Sequence, residues 1–347
     1  MLFQLKYPII QAPMAGNIVT PELVAMVSNA GMLGSIAAGY LDRDSLTTYI
    51  QKVTSLTDKP FLLNIFIEEA RPCSLEYTKP QKIVEYERKV GLAEERFFSV
   101  PATVSQEDYL KVILEYQIRI VSSTFGLFKP EILKKLKQNQ VKVIASVTSI
   151  AEAEAAICAG YDALVIQGAE AGGHQASFLG NEANLTNTLD LFKKVRQQFS
   201  LIPLIAAGGI NQDNIEGYWK AGVNILQLGT VFMLSDLSAL GKEMMGYIIN
   251  DSHKITTQLS PYITGKWVRG IANKLLDELK DNDYPFPVQH YATSRLRSQA
   301  RKLGNYDYSG IWLGQHDKYQ IAKTSELIKL LQDKYYKYMA ENANGSF

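Results

Sequence analysis

Apolar positions in the first two-thirds of the chain fall into short runs separated by longer stretches of helical period. Apolar or β-branched runs at 8–12, 33–36, 61–66, 118–122, 141–147, 163–167, 203–206 and 225–228 predict eight strands. Amphipathic stretches at 20–30, 129–138, 150–159 and 211–221 predict helices between them, and Gly31, Gly160 and Gly222 stand where helix C-caps are expected. Strand and helix in alternation imply a parallel sheet covered by helices. Eight strands ending near residue 228 match the length of a (β/α)₈ TIM barrel. Spacing is uneven: about 50 residues separate the third and fourth strands and about 35 the sixth and seventh, against connections nearer 20 elsewhere. The extra loops therefore fall on the face where barrels build active sites. From 241 to 301 the pattern turns helix-like without clear strands; 271–279 predicts an amphipathic helix, and Pro285 and Pro287 interrupt the chain beyond it. The expected division is a barrel over 1–238, a smaller, mostly helical region over 239–303 covering the barrel mouth, and a C-terminal segment over 304–347. In that last segment a helix over 324–339 returns to the barrel wall.

Composition narrows the partners more than the fold. Of 347 residues, 46% are hydrophobic and 20% charged, and 36 Lys+Arg against 35 Asp+Glu leave a net charge of +1. That balance argues against nucleic acid or an anionic membrane as the main partner. No apolar run approaches a membrane span, and 1–10 carries no signal-peptide pattern. Cys73 and Cys158 are lone thiols in no metal-ligand spacing. A cytoplasmic location is the expectation.

Four clusters at predicted strand ends carry candidate chemistry. Gln11-Ala12-Pro13-Met14-Ala15-Gly16 closes the first strand, with small residues that let the backbone approach a ligand face. Read alone, it describes first of all an ordinary strand-to-helix turn. Asn64 is an amide inside an apolar strand, and must find a partner in the protein or read the polar edge of a flat ligand. Gln167-Gly168-Ala-Glu170-Ala-Gly172-Gly173-His174 follows the sixth strand and places a histidine in a glycine-rich loop on the active face. His253, His290 and His316 lack such settings and read as surface or packing residues. The fourth cluster is paired: Ala206-Ala-Gly208-Gly209-Ile210 after the seventh strand, and Gln227-Leu228-Gly229-Thr230 after the eighth. Barrels commonly hold phosphate between these two loops, where glycines free backbone N–H groups and a helix N-terminus adds positive potential.

No dinucleotide fingerprint, P-loop, zinc motif or strand-end lysine placed for Schiff-base chemistry accompanies these clusters. A phosphate site without metal or reactive lysine points to a bound phosphorylated cofactor. With Met14, Asn64 and Gln167 offered to a flat polar ring, FMN is the simplest choice.

Taken together, Gln11–Gly16, Glu170–His174, Ala206–Ile210 and Gln227–Thr230 resemble the signatures of the nitronate monooxygenases, as do Ile263–Asn273 and Ile311-Trp312-Leu-Gly314-Gln315. The resemblance runs from about Pro8 to Gln315. It implies that Asn64, Gln167, Gly172, Gly208 and Gln227 to Thr230 bind FMN, that Met14 lies near the ring, and that Trp312 and Gln315 close over the cofactor. His174 would be the active-site histidine, and the implied reaction is oxidation of alkyl nitronates by O₂ to carbonyl compounds and nitrite. The implied partners are a nitronate or nitroalkane and O₂, with a homodimer as the assembly to test. Gln175-Ala176 departs from the Arg-Gly that family members often carry after the histidine. The flavin-dependent enoyl-acyl-carrier-protein reductases share the Glu-Ala-Gly-Gly-His run. They usually have Gly-Gly where this chain has Ala12-Pro13, and they lack the Trp-x-Gly-Gln ending. A flavin-binding protein without turnover is a third reading, against which His174 speaks.

Overall fold

The computed structural model describes residues 5–69, 71, 73–250, 255–281 and 284–343. Eight short strands form its centre: β1 (Ile9–Gln11), β2 (Ser35–Ala37), β3 (Leu62–Phe66), β6 (Ile120–Thr124), β7 (Lys142–Val147), β8 (Ala163–Gln167), β10 (Leu204–Ala207) and β11 (Ile225–Leu228). Every pairing among them is parallel, in the order β1-β11-β10-β8-β7-β6-β3-β2. The Ile10–Leu33 bridge, with Gln11 donating to the Leu33 carbonyl at 2.9 Å, joins the two ends into a (β/α)₈ barrel. All eight expected strands are present, none displaced by more than two residues at either end.

Local chemistry starts the surrounding helices. Thr20 caps α1 (Pro21–Asn29) by accepting from the Leu23 N–H at 3.1 Å, with Pro21 in the first turn. Asp42 caps α2 (Arg43–Leu56), Ser105 caps α4 (Gln106–Glu115) and Ser149 caps α6 (Ile150–Ala159), which Gly160 ends in the left-handed region at φ 93°. The outer ring is completed by α5 (Pro130–Gln138), α7 (Thr188–Gln198) and α8 (Ile215–Lys220). The helix expected from Asn211 starts only at Ile215. The Asn211 side chain accepts from the N–H groups of Asp213 and Asn214, which makes those residues a turn.

Two excursions leave the barrel on its active face. Between β3 and β6 the chain forms an antiparallel pair, β4 (Leu75–Thr78) with β5 (Phe97–Val100), enclosing α3 (Gln81–Lys89). After α9 (Thr230–Met233) and α10 (Lys242–Asn250) come β12 (Thr257–Ser260), β13 (Val268–Ile271), α11 (Lys274–Glu278) and α12 (Val288–Lys302). The region is mostly helical, as expected, and also holds two short strands: β13 pairs with β12 and with the two-residue β9 (Gly173–His174). Ile271 accordingly ends a strand rather than starting the expected helix, which is confined to α11. Leu296 and Ala300 of α12 share an apolar cluster with Ile83 and Tyr86 of α3, which unites the two excursions. The last helix, α13 (Thr324–Ala343), returns to the barrel, where Tyr335 and Tyr338 pack on Trp219 of α8. Among the described residues no helix is long and apolar enough to cross a membrane.

Candidate active site

Side chains two apart on a strand point the same way, and this alternation builds the site. Ile10, Leu62, Ile144, Val165, Ile205 and Ile225 pack together in one apolar cluster inside the barrel. The residues two positions further on are Ala12, Asn64, Ser146, Gln167, Ala207 and Gln227, and all six line a cleft of about 420 Å³ at the C-terminal ends of the strands. Pro13 and Met14, the loop Gly172-Gly173-His174, the pair Gly208-Gly209, Gly229 with Thr230, and Trp312 from the C-terminal segment line it too. Two expected contacts do not. Leu228 is fully buried between barrel and helices, because its parity on β11 is opposite to that of Gln227. Gln315 is exposed, its backbone N–H donating to the Glu170 carbonyl at 2.8 Å.

Several amides in the cleft are engaged within the protein. Asn64 donates from Nδ2 to Ser122 Oγ at 2.8 Å and Thr124 Oγ1 at 3.0 Å, so its carbonyl oxygen is what it offers a ligand. Gln167 braces the loop beyond it: Nε2 donates to the His174 carbonyl at 3.0 Å, and Oε1 accepts from the Ala176 N–H at 2.7 Å. Its first role is to fix the His174 backbone. Thr230 Oγ1 accepts from the Gly314 N–H at 3.0 Å, tying the Trp312 segment to the end of β11.

The glycine loops have the chemistry an anion needs. Among the described residues, the N–H groups of Gly208, Gly209 and Gly229 donate to no protein acceptor. Gly208, at φ 118°, is required by packing as well, since a Cβ there would stand 2.7 Å from Thr188 Oγ1. At Gly229 a Cβ would meet only Ala12 Cβ at 3.6 Å and Met14 Sδ at 3.9 Å, so the protein could accommodate it at the expense of cleft space. Because α8 has six residues and α9 four, the loops' own N–H groups are the donors, with little help from helix dipoles. Free N–H groups in the glycine loops, polar strand-end residues and a volume in the range of small-ligand sites fit a phosphorylated ring cofactor.

His174 lines the same cleft. Its ring lies edge-on to Phe125 and Phe286, each 5.5 Å away between centroids. Nε2 is 3.0 Å from Thr264 Oγ1, and that hydroxyl donates to the Lys266 carbonyl at 3.1 Å. A hydroxyl has one proton, so toward His174 it accepts. The hydrogen-bond pattern therefore assigns the imidazole proton to Nε2 and leaves the Nδ1 lone pair bare. Burial, helped by the cations of Arg297 and Lys266, lowers the His174 pKa to about 3, so the ring is neutral at physiological pH.

Several cleft residues were not singled out by the sequence reading. Tyr40 stacks on His290 at 4.1 Å, and its hydroxyl is buried without a partner among the described residues. His290 and Arg297 project from α12 into the cleft, and His316 lines it as well. This corrects the expectation that His290 and His316 are mere surface or packing residues; His253 lies outside the described residues. Nothing in local sequence marks Tyr40, His290, Arg297 or His316: folding of the second excursion brings in His290 and Arg297, Tyr40 follows β2, and His316 comes with the C-terminal segment. Thr264 and Phe286 sit within that same excursion.

Comparison with known proteins adds a family to this geometry. A family model described as nitronate monooxygenase matches residues 1–333. A protein of Staphylococcus saprophyticus named probable nitronate monooxygenase is 36% identical over 324 residues, 90% of either chain. One of the same name from Staphylococcus aureus is 35% identical over 326 residues, again 90% of each. Among solved structures, the nitroalkane oxidase of Streptomyces ansochromogenes is similar with a TM-score of 0.85 and 28% identity, covering 97% of this chain and 98% of its own. FabK from Thermotoga maritima is similar with a TM-score of 0.73 and 25% identity, covering 100% of this chain and 97% of its own.

Proposed function

Since this chain belongs to the nitronate monooxygenases, a flavin-dependent oxidoreductase family, we propose that its cleft holds FMN and oxidises alkyl nitronates with O₂ to carbonyl compounds and nitrite. One observation carries the reading: the same cleft has unengaged backbone N–H groups at Gly208, Gly209 and Gly229, and a neutral histidine with a bare lone pair. The loops would hold the phosphate. Met14 and the strand-end residues Asn64 and Gln227 would face the ring, under Trp312. Bound FMN would supply the electron transfer from substrate to O₂.

The protein's share is position, polarity and exclusion of water. Phe125 and Phe286 pack edge-on against the His174 ring. A nitronate arrives already deprotonated and asks no proton transfer of His174. A neutral nitroalkane would lose its α-proton to Nδ1, the one lone pair the Thr264 contact leaves open. Reduction of an enoyl thioester by NADH is the second reading, supported by the scaffold shared with FabK from Thermotoga maritima. The closer relatives in sequence, over 90% of both chains, favour the first.

The purified protein should be yellow, and heat should release FMN identifiable by chromatography. Anaerobic propyl-1-nitronate should bleach the flavin absorbance without NADH. Gly229→Ala should lower flavin content with the circular dichroism unchanged. A colourless protein that does not take up FMN, or a flavin that nitronate leaves oxidised, would contradict the proposal.

A further inference from the structure

Arg297 is a cation without a counter-charge. Among the described residues no carboxylate lies within ion-pair distance of it, although its neighbour Arg295 on α12 pairs with Glu87 at 3.1 Å and Glu95 at 3.0 Å. The Arg297 donors are unevenly used. Nε donates to Thr293 Oγ1 at 3.0 Å, and Nη2 to the His290 carbonyl at 2.9 Å with His290 Nδ1 at 3.4 Å. Nη1, with two N–H groups, has no protein acceptor among the described residues. The guanidinium is held over the Trp312 ring at 5.9 Å, and the residue lines the cleft with Tyr40, His174 and His290.

An enclosed guanidinium with idle donors is costly unless something anionic completes it. The other cations nearby are less available. Lys266 Nζ donates to the Ser177 carbonyl at 3.3 Å and lies over Phe125, while Arg301, which also lines the cleft, is open to solvent and donates to the Gly310 carbonyl at 2.9 Å. His174 is neutral and cannot supply charge. The loop position after it holds Gln175, whose amide is engaged with the Asn184 backbone.

We propose that Arg297 is the anion-binding residue at the substrate end of the cleft, its Nη1 group holding the oxygens of a planar monoanion. In the reading above, on which the assignment rests, that anion is the nitronate. A guanidinium presents donors in a fixed fork suited to two oxygens on one trigonal centre. It would orient the substrate beside His174, as a positioning residue for the reaction.

Nitrate, a planar oxyanion that cannot be turned over as a nitronate, is the probe. Isothermal titration of the FMN-loaded protein should show nitrate binding, and Arg297→Met should weaken it by about 10-fold to 100-fold. The KM for propyl-1-nitronate should rise by a similar factor with FMN still stoichiometric, and Tm should hold or increase because an unpaired cation is gone. Arg297→Lys, which keeps the charge without the fork, should fall between. Unchanged nitrate affinity in both variants would overturn the assignment. So would loss of FMN with nitrate affinity retained, which would assign the guanidinium to the cofactor's phosphate. Nitrate binding that depends on Arg297 in a protein inert toward nitronates would uphold the anion site and defeat the proposed reaction instead.

Discussion

Thr264 governs what His174 can do, although it lies 90 residues further along the chain. By accepting from Nε2 while donating to the Lys266 carbonyl, its hydroxyl holds the imidazole in one tautomer. Thr264→Val preserves shape but leaves Nε2–H without an acceptor in a buried place. The kcat/KM for 1-nitropropane, which must be deprotonated, should fall by about 10-fold or more, while propyl-1-nitronate should change by less than about 3-fold. Equal losses on both substrates would show that the contact positions the ring without setting its proton. His174 itself is legible in the sequence because it sits in a glycine-rich loop at a strand end. Tyr40, His290 and Arg297 are not, because their meaning is purely spatial: each reaches the cleft from a segment with no motif of its own. Thr264 falls within the family-like segment Ile263–Asn273, but nothing in that segment ties it to His174.

The barrel strands were readable as elements because each is a short apolar run. The inward positions at their C-terminal ends carry the polar exceptions, which is why Asn64, Gln167 and Gln227 stood out. The antiparallel strands of the excursions were not readable. β4 and β5 are largely exposed and only four residues long, and β13 is fully buried with Arg269 and Gly270 in its middle, so none carries a sustained apolar–polar alternation. What holds β13 is its Arg269, whose Nε donates to the Ala169 carbonyl at 2.7 Å and ties the strand to the loop bearing His174. A second tie joins the excursions. Lys79 and Glu87, each with a side chain 1% exposed, form an ion pair at 2.9 Å, and Arg295 of α12 joins it. Glu87→Ala should destabilise the protein by about 3–5 kcal/mol, because it leaves the buried Lys79 with only the half-exposed Glu95. Replacing the pair together, Lys79→Met with Glu87→Leu, should recover most of that loss. Urea unfolding midpoints of the three proteins decide it; a double variant no more stable than Glu87→Ala would contradict the charge argument.

At the scale of the molecule, three enclosed histidines make the fold sensitive to acid. Burial lowers the pKa of His174 to about 3 and of His316 to about 4, and that of His290 lies well below its usual 6.5. Asn211 Nδ2 donates to His316 Nδ1 at 3.1 Å, a contact that protonation would abolish. With folded values below the unfolded ones, the unfolded chain binds more protons than the folded one below pH 6.5. The stability these rings contribute is therefore complete above pH 6.5 and is lost as pH falls toward 4, with His174 continuing toward 3. Urea midpoints measured from pH 7 to 4 should decline across that window, and His316→Gln should shallow the decline. A midpoint indifferent to pH between 6.5 and 4.5 would contradict the assignment of neutral rings. The same neutrality means that nitronate turnover should show no inflection near 6.5 from His174.

All of this serves one reaction in one cleft, and an oxygen electrode addresses it directly. The FMN-loaded protein is given propyl-1-nitronate with and without NADH, and O₂ uptake and nitrite are followed together. Uptake of O₂ with matching nitrite on nitronate alone, unaltered by NADH, is the predicted result. No response to nitronates, combined with rapid NADH oxidation coupled to reduction of an enoyl thioester, would contradict it and make the cleft that of a reductase.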